Sequence, residues 1–133
     1  MTDWTAHVVF CDDIREEVNG KAFLIGAYQG DLLASTLPGP INLATYIDIR
    51  SLPAGPHTFH VSAHFDIDGL AEEVASISFM VTVIEPGLPT ILKANGMQFL
   101  AKSPGILRLY LAVNNQLARE IDSLRIRLAS PQS

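Results

Sequence analysis

Three sets of side chains in this sequence are of types that can do chemistry, and their spacing decides how far each can go. The densest set is acidic. Asp12, Asp13, Glu16 and Glu17 stand close together, and Asp66 and Asp68 precede Glu72 and Glu73. A hard cation such as Ca²⁺ takes about six to eight oxygen ligands, so Asp12, Asp13, Asp66 and Asp68 are the candidate metal ligands. An EF-hand loop needs acids at alternating positions and a closing glutamate, and Asp66-Ile67-Asp68-Gly69 does not follow that pattern. Asp before Gly is also a turn former, and strand-edge carboxylates pair readily with neighbours such as Arg15 and Lys21. The second set is His57, His60 and His64. On a strand rising ~3.3 Å per residue, His60 and His64 share a face but lie about 13 Å apart, too far for one tetrahedral zinc with ~2.1 Å bonds. His57 falls on the opposite face. The third set is nucleophilic and thin. Cys11 sits in an apolar run beside Asp12 and Asp13, whose charge raises a thiol pKa. No serine occupies a G-x-S-x-G elbow, and no glycine-rich loop has phosphate-binding spacing. These patterns lead to the expectation of no catalytic residue, no cofactor and no enzymatic activity, with a carboxylate-based hydrolase as the remaining catalytic alternative.

The elements that must position these residues are short and regularly punctuated. Turn signals recur at Asn19-Gly20, Pro38-Gly39-Pro40, Pro53-Ala54-Gly55-Pro56, Asp68-Gly69, Pro86-Gly87, Asn95-Gly96, Pro104-Gly105 and Asn114-Asn115. The runs between them are rich in Ile, Val, Leu and Phe, which is the pattern of an all-β sandwich or barrel. Phe59, Val61, Ala63, Phe65 and Ile67 alternate with His60, Ser62, His64 and Asp66, so one face is core and the other wet. Ile77, Phe79, Val81 and Val83 repeat the alternation. About eight strands are expected: 8–12, 22–28, 41–50, 59–67, 77–83, 97–102, 107–113 and 124–128. They predict an antiparallel β-sandwich, immunoglobulin-like or C2-like, forming a single domain over residues 1–133 with a long connection around Pro86 to Asn95.

One sequence echo constrains the pairing. Leu70-Ala71-Glu72-Glu73-Val74, continuing to Phe79, is answered by Leu117-Ala118-Arg119-Glu120-Ile121, continuing to Ile126; each copy follows a Pro/Gly turn (Pro53 and Gly55, Pro104 and Gly105) and an alternating strand. The echo predicts two similar strand–turn–strand units burying their apolar faces against each other. A plain two-residue turn at Asp68-Gly69 would set Val61 against Ser76 and split the apolar faces. Pairing Val61 with Ile77 and Phe59 with Phe79 keeps them together and demands an odd-numbered loop or a bulge. The same reasoning pairs Leu111 with Leu124 and Leu109 with Ile126. It also puts the Asp66–Asp68 tip on a loop longer than a tight turn. Asn19-Gly20 favours a two-residue type I′ turn that pairs Ile14 with Ile25.

The segment Phe10-Cys11-Asp12-Asp13-Ile14-Arg15, continued by Gly20-Lys21 and Leu24-Ile25-Gly26-Ala27-Tyr28, resembles the opening of a family of uncharacterised bacterial proteins. That family has an acidic stretch leading through a Gly-Lys turn to an LIG-x-Y strand. The resemblance covers about twenty residues and implies a compact bacterial domain of unknown function, with no catalytic residue to carry over.

Composition bounds the partners. A net charge of −5 argues against nucleic acid or an anionic membrane surface. No run approaches the ~18 apolar residues of a membrane span, and the N-terminus lacks the basic start and apolar core of a signal peptide. A cytoplasmic domain is expected. Charged residues make up 17% of the chain against 48% hydrophobic, below the ~25% charged of an average soluble domain. The apolar surplus points to a homo-oligomer or a protein partner. Tyr46, Met80, Ile84 and Tyr110 fall out of phase with the core faces and are the candidate interface. The expected role is a non-catalytic structural or binding module that self-associates, with a calcium-dependent C2-like binder as the alternative.

Overall fold

A computed structural model of the protein describes residues 3–129. It holds ten strands: β1 (Thr5–Cys11), β2 (Asp13–Glu16), β3 (Ala22–Ile25), β4 (Asp31–Ala34), β5 (Gly39–Arg50), β6 (Gly55–Ile67), β7 (Leu70–Val83), β8 (Thr90–Ala101), β9 (Gly105–Val113) and β10 (Arg119–Leu128). The chain is all-β, and two sheets pack as a sandwich. One has the order β1-β5-β8, the other β4-β10-β9-β6-β7, and β2-β3 forms a separate hairpin. Every pairing is antiparallel except the short one between β4 and β10.

The alternation seen in the sequence builds the core. Ile41, Leu43, Ile47 and Ile49 of β5 face Phe59, Val61, Ala63 and Phe65 of β6 and Leu107, Leu109 and Leu111 of β9, all of them buried. Burying each large side chain of this kind stabilises the fold by roughly 1.5–3 kcal/mol. Trp4, ahead of β1, closes one end, with the Arg119 guanidinium carbon 3.4 Å from its ring centre. A second, smaller cluster lies on the outer face of the three-stranded sheet, where Cys11 and Ala44 meet Ile14 of the β2-β3 hairpin.

Several expectations are corrected. Ten strands are present against about eight expected, the two outside the expected spans being the four-residue β2 and β4. The connection between β7 and β8 is only Ile84 to Pro89, since Thr90 to Asn95 extends β8. At Asn19-Gly20 only Gly20 has a positive φ, whereas a type I′ turn needs two. The loop takes an extra residue, Glu17 N–H bonding to Lys21 O at 2.8 Å, and Ile14 pairs with Leu24 instead of Ile25. Finally, the two echoing units lie side by side. β6 of the first pairs antiparallel with β9 of the second, in one sheet.

The parity problem has a specific solution. Asp68 and Gly69, with φ of 51° and 85°, do form a tight two-residue turn that pairs Ile67 with Leu70. The expected longer loop at the Asp66–Asp68 tip is therefore wrong. Register is restored further along by a bulge that leaves Val74 unpaired, so Val61 meets Ile77 and Phe59 meets Phe79 as expected. In the second unit Leu111 instead meets Arg119 and Leu109 meets Asp122, with a bulge that leaves Ile121 unpaired between them. Val74 and Ile121 are the same position of the echo. The residues opposite the two bulges also correspond, His64 and Ala63 in one unit to Tyr110 and Leu109 in the other. Ala63 and Leu109 are themselves direct partners. The four strands β7-β6-β9-β10 thus have a local two-fold axis through the Ala63–Leu109 pair, exchanging the two hairpins.

Candidate functional site

The five-stranded sheet is wider than the three-stranded sheet it covers, and β7 is the strand that overhangs. It pairs with β6 on one side; among the described residues no strand pairs with its other edge. Natural sheets blunt such edges with charges, prolines or short strands. β7 is fourteen residues long, carries its only charges at Glu72 and Glu73, and has neither charge nor proline from Val74 to Val83. Its inward row is only partly covered, Val74, Ala75, Phe79 and Val81 half-buried against the core and Val83 buried, while other side chains stand in the open. Met80 is 83% exposed, Ile77 42%, and Ile84 just beyond the strand 88%.

A groove follows the seam between β7 and β8. Its middle section encloses about 370 Å³, with Val61 and Ala63 at its floor, Ile77 and Met97 at its sides and Asn95 and Gln98 at its rim. Towards the Asp68-Gly69 turn it widens to a section of about 710 Å³ bordered by Leu70, Glu72, Leu100 and Lys102. At the other end of the seam Val83, Ile84, Leu88 and Ile91 line a separate, smaller pocket of about 240 Å³. β8 enters the groove through its own irregularity. Asn95 and Gly96 together oppose the single residue Ala44 of β5, with Gly96 at φ 78°, a conformation that strains any residue with a Cβ. The site is thus an extended, largely apolar trough beside an unpaired backbone edge, suited to a strand.

The candidate interface residues divide between faces. Met80 and Ile84 belong to this overhanging side. Tyr110 lies on β9, half-buried, its ring 5.0 Å from that of His64 in an edge-on arrangement. Tyr46 is on the other sheet, packed with Cys11, Ile14 and Ala44 beneath the β2-β3 hairpin. Ile77 and Leu70 of the groove escaped the sequence reading, which put Ile77 in the core. Its alternation is correct, but on an overhanging strand the inward face meets a groove.

The candidate metal ligands also divide. Asp12, at the β1–β2 junction, accepts a hydrogen bond from the Tyr28 hydroxyl. Burial, and secondly this bond, pushes the Tyr28 pKa up to about 12. Gly26 is needed beside them, since it has φ +68° and a Cβ there would strike the Asp12 carboxylate. Asp13 accepts from Arg15 Nε at 3.0 Å, which holds its pKa below the usual carboxylate value, helped by Asn95. Asp66 and Asp68 belong to the β6–β7 tip instead. Asp66 Oδ1 caps the turn through Gly69 N–H at 2.9 Å and its other oxygen lies 3.5 Å from Arg108, while Asp68 is a turn residue. Among the described residues no three His, Cys, Asp or Glu side chains gather to hold an ion.

The histidines are dispersed as well. His57 is buried on the core-side face, its Nε2–H donating to Pro53 O at 2.8 Å and its Nδ1 accepting from Asn114 Nδ2 at 2.8 Å. His60 bonds the Ser78 hydroxyl at 3.0 Å. Cys11 is fully buried, and burial first, then the charges of Asp12 and Asp13, raises its thiol pKa against a lowering backbone hydrogen bond. The arginines are engaged: Arg108 with Asp66 and Glu120, Arg125 and Arg127 with Asp31. No protein-family model matches this sequence, and no curated protein is significantly similar to it.

Proposed function

We propose that the protein is a non-catalytic structural or binding module that associates with protein through the β7 side of its sandwich. The observation carrying this reading is the long, uncharged stretch of β7 beside an apolar groove, its outer edge without a partner strand among the described residues. An added strand gains affinity from main-chain hydrogen bonds and specificity from side chains seated in the groove. The chemistry-bearing residues support the same reading: the carboxylates of Asp13, Asp31, Asp48 and Asp66 are paired with arginines, and the thiol is enclosed. Such groups hold a scaffold together.

The test is a fluorescent peptide copying Leu70–Val83 added to the full chain. Saturable binding, read by anisotropy and weakened by Ile77→Lys, is the expected result. Absence of saturable binding would remove strand addition as the mode of action.

A further inference from the structure

We infer that the partner at this edge is a second copy of the chain, the two β7 strands pairing antiparallel about a two-fold axis near Ile77 to make one continuous ten-stranded sheet. This inference rests on the reading of β7 as a docking edge and names its occupant.

The internal two-fold supplies the first argument. It exchanges β7 with β10, and the outer edge of β10 is covered: β4 pairs with it from Arg125 to Leu128. Carried on past Ile126 at the same offset, the echo matches those four residues to Ser78, Phe79, Met80 and Val81 of β7. One unit of the repeat has its edge capped from within the chain, and the equivalent stretch of the other has no cap among the described residues. The two edges differ in charge. β10 offers Arg125 and Arg127, which clamp the Asp31 carboxylate at 2.9 and 2.8 Å. β7 offers Ser78 and Met80 at those positions, which give a charged partner no counter-charge, so a neutral strand fits there.

β7 itself offers such a neutral stretch in one orientation. Its carboxylates, Glu72 and Glu73, both lie in its first four residues, and the rest of the strand is neutral. Antiparallel pairing centred on Ile77 puts Glu73 opposite Val81 and Glu72 opposite Thr82. Parallel pairing would set the carboxylates side by side, which is destabilising. The antiparallel pair is isologous, so the association closes at two copies. It also brings the exposed Leu70 of each copy beside Ile84 of the other, covering both.

Light scattering over a dilution series of the full chain tests the proposal. The expected mass is twice that of one chain at high concentration, falling to one chain on dilution. Ile77→Lys places like charges across the axis and should weaken the dimer at least about tenfold, with the circular dichroism of the fold retained. Cysteine at Ile77 or at Ser78, introduced singly, should give an oxidised covalent dimer in at least one case, while Leu117→Cys on the far hairpin should not. The crosslink decides the matter if Ile77→Lys does not fold. A wild-type chain that is monomeric at every concentration would overturn the proposal. So would a dimer that is indifferent to Ile77→Lys and uncrosslinked at both positions. A monomeric chain that still binds the β7 peptide leaves the docking edge standing and removes only the second copy; a monomer that binds no peptide removes both.

Discussion

Thr45→Val should stabilise this protein. Thr45 lies in the apolar row of β5, between Leu43 and Ile47, paired with Phe10 of β1 and Ala94 of β8. It is fully buried, and its Oγ1 has no hydrogen-bond partner among the described residues. An unpaired buried hydroxyl costs about 1–3 kcal/mol. Valine has the same branched shape, so it leaves no cavity and keeps the strand preference of a β-branched residue. The expected gain is about 1–2 kcal/mol, or roughly 3–5 °C of melting temperature per kcal/mol for a domain of this size. Thermal and urea unfolding measure it, and the urea slope should not change, because the same surface is exposed on unfolding. Thr45→Ser makes the opposite perturbation. It keeps the hydroxyl, removes the methyl and should cost about 1 kcal/mol or more. A fall in stability for Thr45→Val would show that the hydroxyl is satisfied in the folded chain and would refute the reasoning.

Two further predictions concern the second hairpin and its neighbour. Asn114, at φ 54°, donates its backbone N–H to Thr58 O and accepts from Thr58 N–H through Oδ1, both at 2.9 Å, besides holding His57. Asn114→Ala should cost about 2–4 kcal/mol from the lost bonds and the left-handed backbone. Asn114→Gly should recover only the backbone share, and equal melting temperatures for the two variants would contradict this division. At Asp31, the hydrogen bond from Arg125 is the main cause of a carboxyl pKa below its ordinary value. A depressed pKa stabilises the fold above the unfolded carboxylate value of about 3.9 and loses that contribution as pH falls through the lower folded value. The melting-temperature gap between wild type and Asp31→Asn should therefore narrow as pH falls below about 4, and a gap independent of pH would count against the ion pair.

Which parts of this fold the sequence disclosed follows from the range of the interactions involved. The core face of β6 was legible because alternation is a local signal and β6 is covered along its length. The same signal was followed too far at Ile77, whose face is set by the width of the opposite sheet, a tertiary property. The β2-β3 register was missed because Asn-Gly fits two loop lengths, and a one-residue difference exchanges Ile25 for Leu24 as the partner of Ile14. Partners such as Tyr28 for Asp12, or Arg108 for Asp66, stand sixteen and forty-two residues away in the chain, and no spacing rule reaches them.

The echo was the exception, a long-range feature visible as letters. Its Pro-Gly flanks suggested one alignment of the first strands, pairing Pro53 with Pro104. The bulges impose another, matching His64 to Tyr110 and the Asp68-Gly69 turn to Asn114-Asn115. What the repeated L-A-x-E-[V/I] words share is a strand that must slip by one residue just after its glutamate, so that the apolar residues beyond it return to the core face. A bulge also increases local twist and bends its strand. With one in each outer strand, the sheet carries the same bend on both flanks of the Ala63–Leu109 axis. On the β10 flank the edge beyond the bend is capped by β4 and its ion pairs. On the β7 flank, from Ala75 to Val83, the same construction has no covering strand among the described residues.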